Sequence, residues 1–446
     1  MRVCVVGMGP WPLERDAIVT GPSIRLRQFI EPLLAARHEV IAILLEEKAR
    51  QDIPIEGALF ARSHTPETIL DPDGIAKGVD LSHVGAVFGV GSLMPAVAAL
   101  RIAKRIGSPC WVDFFGDPMA ELHAGQLRQG GTVDLSARDH VWKFFRESLM
   151  GGDAFSTVSA AQRHALLGQL GLLGRFANDW NVSQRLHEIP CGVPASWTNA
   201  DPIPPFPEIL RGKGLDETSR YIYFGGSWNV WLDEITMAKA LAIALRDDEE
   251  LKFVCCGIPT GRAGEEIRQH ILKAVGSFGN RVIDLPPQQA PSESALLAHA
   301  GGCLSLDRPI PEAELGSRNR LLAMVRWGAR PVVSLEAGLE SLLVAEGLAA
   351  GIGGANEQRA ALEIIAACRR PAAQREEDRQ AGLRWLRSMT FGETMKPALG
   401  WISAGAPRWE SPSAARGLID GWGVIAAEPE TLLPSPPPAK RKKWFN

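Results

Sequence analysis

Residues Ser317 to Ser334 read S-R-N-R-L-L-A-M-V-R-W-G-A-R-P-V-V-S. A polar, cationic cluster (Ser317, Arg318, Asn319, Arg320) opens an apolar helix. The helix is expected to stop at Gly328, and Pro331-Val332-Val333 to start a buried strand. A helix start presents free backbone N–H groups and the positive end of the helix dipole, which suits an anion. Two guanidiniums beside it favour a phosphate-rich ligand over a bare carboxylate.

Outward from this stretch, short apolar runs alternate with helical patterns. Val3–Val6, Val40–Leu45, Ala86–Val90, Pro109–Phe114, Phe155–Val158 and His187–Ile189 read as strands. Ser23–Ala36, Pro95–Ile106 and Ala160–Leu170 read as helices between them. The alternation breaks at residues 196–218, which hold P-I-P-P-F-P and read as a linker. It restarts with strands at Tyr221–Phe224, Leu251–Cys256, Arg281–Leu285, Gly302–Leu306, Pro331–Val333 and Ala349–Ile352. Helices are expected at Leu232–Leu245, Gly264–Val275, Ser292–Ala300, Asn319–Trp327 and Gln358–Cys368. The fold class is therefore α/β: two Rossmann-like, doubly wound domains, 1–195 and 219–385, facing a cleft. Such a cleft is the expected ligand site. Residues 386–403 read as a helix returning to the first domain. Residues 404–446 form a Pro-rich basic tail ending in K-R-K-K-W-F-N. It reads as a solvated tail or as a peripheral contact for an anionic membrane or a protein partner.

Composition narrows the function classes. The chain has 446 residues, 46% hydrophobic and 22% charged, with a formal net charge of −3. That balance does not suit a protein that coats nucleic acid. Seven cysteines without a C-x-x-C spacing indicate neither a zinc ribbon nor a disulfide framework, so reduced thiols in the cytoplasm are expected. M-R-V-C-V-V-G reads as a core strand, not a signal peptide. Val84–Leu100 is uncharged but interrupted by glycines, Ser92 and Pro95, and reads as strand, loop and helix.

Five pieces in order carry a resemblance over roughly residues 1–400. They are G-P-S-I-R-L-R-Q-F-I-E-P-L-L-A-A-R-H-E-V from Gly21, S-T-V-S-A-A-Q-R from Ser156, E-I-P-C-G-V-P from Glu188, Y-I-Y-F-G-G-S-W-N-V-W-L-D from Tyr221, and Asn319–Val333. In these the chain resembles the GT-B glycosyltransferases, particularly those built like glycosyltransferase family 4. The resemblance implies transfer of a sugar from a nucleotide-diphosphate donor to an acceptor hydroxyl. It also implies retention of configuration, no required metal and no cofactor beyond the donor. The acceptor would be a glycan, a lipid-linked glycan or a protein, with action in the cytoplasm or at the inner face of the membrane.

The chain departs from the pattern at two places. The loop after Phe224, which often carries an Arg and a Lys in the family, here offers Ser227, Trp228, Asn229 and Trp231. Of the family's two spaced glutamates, the second, which grips the ribose, falls on Ala323 and the first on Leu315. Glu312 and Glu314 are the acids nearby, and Glu314 is taken as a candidate catalytic acid.

Each remaining candidate has a functional and a structural reading. Ser317, Arg318, Asn319 and Arg320 would hold the diphosphate, or be a capped helix start. Gly226, Ser227, Trp228 and Asn229 would approach the donor through glycine backbone, a phosphate contact from Asn229 and a stacked Trp. Alternatively, Ser227 or Asn229 caps a helix and the Trp fills the domain interface. Gly21, Ser23 and Arg25 would face the cleft, with Arg25 touching ligand and Ser23 also readable as an N-cap. Asp113 or Asp117, at the carboxyl end of a strand, would orient or deprotonate the acceptor, though Asp117-Pro118 also reads as a cap. Gly7-Met8-Gly9 lacks a third glycine for a dinucleotide fingerprint, and no Walker A or G-x-S-x-G is present. Two rivals share the fold: a non-catalytic binder of a sugar or partner glycosyltransferase, and a sugar-nucleotide epimerase.

Overall fold

The computed structural model describes residues 1–409 apart from 15–16, 129, 132–133, 177–181 and 337. The basic stretch Lys440–Asn446, and with it the expected membrane or partner contact, lies outside the described residues.

The first sheet comprises β1 (Arg2–Met8), β2 (Glu39–Leu45), β3 (Phe60–His64), β4 (Val84–Gly89), β5 (Cys110–Phe114), β6 (Ala154–Thr157) and β7 (Leu186–Glu188). All pairings are parallel, in the order β3-β2-β1-β4-β5-β6-β7. Strand periodicity explains why β1 is apolar on both sides. Val3 and Val5 join one buried cluster with Leu26 and Phe29 of the helix Gly21–Ala35. Cys4 and Val6 join another with Ile102 and Phe145 on the opposite face. The edge strand β3, F-A-R-S-H, escaped the sequence reading because only Ala61 and Ser63 are buried in it.

The second sheet contains β8 (Arg220–Phe224), β10 (Leu251–Cys255), β12 (Val282–Asp284), β13 (Gly302–Ser305), β14 (Arg330–Ser334) and β15 (Ala350–Ile352). Its order is β12-β10-β8-β13-β14-β15, again parallel. A short parallel pair, β9 (Ser227–Trp228) with β11 (Ile258–Pro259), extends beyond the carboxyl ends of β8 and β10. The helix Arg320–Trp327 ends at Gly328, whose φ of 73° is the left-handed cap expected of glycine.

The Pro-rich connection is packed: Phe206, Leu210 and Leu215 are buried in one cluster with Tyr221 and Tyr223. After the helix Ala372–Leu386 the chain crosses back through a bridge between Thr390 and Val193. The helix Lys396–Ser403 then sets Trp401 edge-on to Phe88 and Trp111 of the first sheet, at 5.7 and 5.4 Å. All seven cysteines are buried and unpaired with one another. Among the described residues no helix is long and apolar enough to cross a membrane.

Candidate functional site

The carboxyl end of β8 turns through Gly225 and Gly226. Gly226 has φ of +94°, which a residue with a Cβ adopts only under strain. A Cβ there would sit 3.5 Å from Arg320 Cδ, so the guanidinium stem lies against this turn. Arg320 donates from Nε and Nη2 to the Ser305 hydroxyl at 3.2 and 3.0 Å. Its nearest carboxylate oxygen is Asp307 Oδ1 at 3.8 Å. Burial pushes its guanidinium down from the usual arginine range. Arg320 is thus a poorly solvated cation whose hydrogen bonds go to a neutral hydroxyl, a setting in which an added anion is worth most.

Arg318 differs. It donates to Asp307 at 2.6 Å and to both Glu312 oxygens at 3.1 and 2.9 Å, and lies over Trp231. Its charge is committed to two carboxylates, so its expected role as a free phosphate ligand is corrected to that of a scaffold. Asn319 is helical in φ and ψ and makes no capping bond. Its Oδ1 is buried without a partner, and its Nδ2 lies 3.8 Å from where a Gly21 Cβ would be. Asn319 and Gly21 therefore face one another across the two domains. Ser317 lies beside the buried Cys191 thiol.

The loop after β8 needs three corrections. Trp228 is fully buried, its ring centroid 4.0 Å from that of Phe224, so it fills the second-domain core and does not stack on a ligand. Ser227 belongs to β9, pairing with Ile258. The following helix starts at Glu234 and is capped by Asp233, whose side chain accepts from Thr236, not by Ser227 or Asn229. Asn229 remains half-buried beside the turn.

On the first-domain side, Arg25 and Asp113 are both fully buried. Arg25 donates Nη2 to Asp113 Oδ1 at 2.7 Å and Nε to Oδ2 at 3.0 Å, and Nη1 to Gln28 and the Pro190 carbonyl. Asp113 also accepts from the Ser156 hydroxyl at 2.6 Å and the Gly91 amide at 3.2 Å. Four donors saturate the carboxylate. The expected ligand contact of Arg25 and proton transfer by Asp113 give way to a buried pin joining five segments. Ser23 is not the N-cap either: Thr20 is, with Ser23 completing the capping box. Asp117 is the cap of Pro118–Arg128, accepting from Met119 and Ala120 at 2.9 Å and from Gln169 at 2.7 Å. Glu314 is exposed on the short helix Pro311–Leu315.

Two acids that the sequence did not single out stand beside these groups. Glu121, one turn into Pro118–Arg128, is exposed, and its carboxyl lies over Gly116. Desolvation, with Glu312 and Asp117 adding, pushes it up to about 7. Glu340, on the helix Gly338–Ala345, is buried, and neither carboxyl oxygen has a hydrogen-bond partner. Burial pushes it up to about 7, against the pull of Arg318. In sequence both look like ordinary helix-surface charges; Glu312 of the second domain bears on Glu121, while burial beside Arg318 and Asp307 sets Glu340.

The domains meet directly. Ala124 of the first domain packs with Ile310 and Ala313 of the second, next to Val230 and Trp231. Ser159 donates to the Leu315 carbonyl at 2.9 Å, and Arg128 pairs with Glu234. By contrast, a hollow lined by Val79, Leu81, Ile106 and Ser108 lies at the amino ends of β4 and β5, away from the cleft.

Two independently wound parallel sheets, with helix starts facing each other across one cleft, decide the architecture. The chain has the GT-B fold. It is similar over nearly its whole length to solved glycosyltransferases. Sucrose-phosphate synthase from Thermosynechococcus elongatus matches at 13% identity, covering 90% of this chain and 98% of that one, TM-score 0.62. Anabaena HepE in complex with UDP and glucose matches at 12%, 91% and 100%, TM-score 0.62. A UDP-forming trehalose-phosphate synthase from Burkholderia xenovorans, in complex with glucose-6-phosphate, matches at 12%, 90% and 100%, TM-score 0.61. No protein-family model and no curated protein sequence matches the chain.

Proposed function

We propose that this protein is a glycosyltransferase of the family 4 type. It takes a sugar from a nucleotide-diphosphate donor and passes it to an acceptor hydroxyl, with retention and without a required metal. The observation that carries the proposal is Arg320, a largely desolvated guanidinium against the Gly226 turn with only a hydroxyl as hydrogen-bond partner. As the bond from the sugar C1 to the diphosphate breaks, its electron pair goes to the leaving oxygen. A fixed cation and turn amides stabilise that charge. Asn319 and Gly21 would close over the donor from the two domains. Glu121 is the acid on the acceptor side best suited to hold the acceptor hydroxyl, since a carboxyl near neutrality can take and return a proton. Packing of Ala124 on Ile310 and Ala313 would keep water from the activated sugar. UDP-sugars are the first donors to try, because HepE was solved with UDP. Sugar phosphates, glycans and lipid-linked or protein hydroxyls are the acceptor classes, met in the cytoplasm or at the inner membrane face.

A second reading rests on Ala323, which replaces the family's ribose-gripping glutamate, and on the loop without a cation. It makes the chain a non-catalytic GT-B protein that binds a sugar or a partner glycosyltransferase. Calorimetric titration of UDP, GDP, ADP and dTDP into wild type and Arg320→Ala tests the site. Saturable binding of one diphosphate, weakened about 10-fold or more by the substitution, is the expected result. Release of that diphosphate from its sugar conjugate, with an acceptor present, separates enzyme from binder.

A further inference from the structure

The Gly225–Gly226 turn has charges of opposite sign on its two glycines. Gly226 lies against Arg320. A Cβ on Gly225 would stand 2.8 Å from Glu293 Oε1 and 2.5 Å from Tyr223 Oη, so this carboxylate lies against the other peptide of the turn. Glu293 projects from the helix Ala290–His299, which packs on the helix Arg320–Trp327 carrying both Arg320 and Ala323. The Tyr223 hydroxyl is 3.4 Å from Glu293 Oε1 and 2.6 Å from Cys256 Sγ, fixing that edge of the carboxylate. Glu293 is half-buried, pairs with no cation among the described residues, and burial raises its carboxyl above the usual range.

We infer that Glu293 accepts hydrogen bonds from the ribose hydroxyls of the bound nucleotide, on the opposite side of the Gly225–Gly226 turn from Arg320. The inference rests on the proposed function above and deepens it. An ionised carboxylate only accepts hydrogen bonds, so it matches a vicinal diol, which offers two donors. It repels a diphosphate. A ligand lying along the turn therefore has one favoured direction, phosphates towards Arg320 and hydroxyls towards Glu293. Adjacent Cα atoms are about 3.8 Å apart, so both groups fall within reach of one nucleotide. Glu293 would thus fill, from a neighbouring helix, the role that Ala323 leaves open.

The test is calorimetry on the full chain with UDP, GDP and ADP and their 2′,3′-dideoxy counterparts, for wild type, Glu293→Ala and Glu293→Gln. Thermal melts confirm that each variant is folded. For whichever base binds, wild type is expected to favour the ribonucleotide over the dideoxy form by about 10- to 100-fold, as for hydrogen bonds to a charged group. Glu293→Ala should erase that ratio by weakening the ribonucleotide alone, and Glu293→Gln should keep part of it. Equal affinity of wild type for both forms, or a ratio that survives in Glu293→Ala, overturns the assignment while leaving the Arg320 site intact. A ratio that appears only with the intact nucleotide sugar gives Glu293 to the donor sugar and also overturns it. If no nucleotide binds folded wild type, the proposed function and this inference fall together.

Discussion

Arg25 and Asp113 form a bidentate ion pair, 2.7 and 3.0 Å, with no solvent exposure on either side chain. The pair joins β5 to the helix Gly21–Ala35, and the remaining oxygen and nitrogen positions reach Ser156, Gly91, Gln28 and Pro190. Breaking such a pair by removing one partner strands a buried charge and costs about 3–5 kcal/mol. Asp113→Asn is therefore expected to lower the melting temperature sharply, and Arg25→Leu to do the same. Were Asp113 instead a proton acceptor for substrate, Asp113→Asn would melt like wild type and lose only turnover. Chemical denaturation of the variants distinguishes the two.

Trp228 offers a parallel test in the second domain. Its indole is fully buried against Phe224, and Gly257 leaves it room: a Cβ there would be 2.5 Å from Trp228 Nε1. Trp228→Ala should cost about 3–5 kcal/mol from lost burial and cavity formation. Trp228→Phe should recover part of it. A ligand-stacking Trp would show the reverse pattern, with stability near wild type and nucleotide affinity lost.

These two cases show where sequence stops being informative. The strands that are apolar on both faces, such as Val3–Val6 and Tyr221–Phe224, were legible because a doubly covered parallel sheet demands an unbroken run. Gly328 was legible because only a left-handed cap follows that helix naturally. The sequence offers Arg320 as a diphosphate ligand, and the structure sets its stem against the Gly226 turn. Arg25 and Arg318 are arginines too, but their carboxylate partners stand 88 positions away for Arg25 and 6 and 11 positions away for Arg318. No local pattern separates a cation saturated by distant carboxylates from one left open. Glu340 shows the converse: a charge on a helix becomes unusual only when other elements cover it, and here it is buried.

Glu340 makes stability depend on pH. Its carboxyl rises from an ordinary 4.5 to about 7 on folding. Between those values the folded protein holds a proton that the unfolded chain has released, so stability falls as pH rises through this window. The full penalty above pH 7 is about 3 kcal/mol. Glu340→Gln should therefore raise the melting temperature at pH 8 and change little at pH 4.5. The same carboxyl faces Arg318, Asp307 and Arg320, so a bound diphosphate would favour its protonated form. Affinity for a nucleotide sugar is expected to weaken from pH 6 to pH 8 in wild type and less so in Glu340→Gln. Parallel pH profiles for the two proteins would reject this linkage.

Arg128 and Glu234 tie the helix Pro118–Arg128 of the first domain to the first turn of Glu234–Asp247 in the second, with side chains 19% and 8% exposed. Apart from this pair and the Ser159 hydroxyl on the Leu315 carbonyl, the contact nearby is made of small and apolar groups, Ala124, Ala313 and Ile310, which pack closely but hold weakly. The ion pair is thus the charged, directional part of the closure. Arg128→Ala leaves the Glu234 carboxylate, whose Oε2 already lacks a partner, with less compensation. Domain opening relieves it by letting in water. Hydrogen exchange in Pro118–Arg128 and Pro311–Leu315 should accelerate in Arg128→Ala, and small-angle scattering should show a larger radius of gyration. Exchange in β8, β10 and β13 should stay as in wild type. Arg128→Lys should fall between, since one ammonium replaces the forked guanidinium. Unchanged exchange in both helices of Arg128→Ala would mean that the domains are held together without this ion pair.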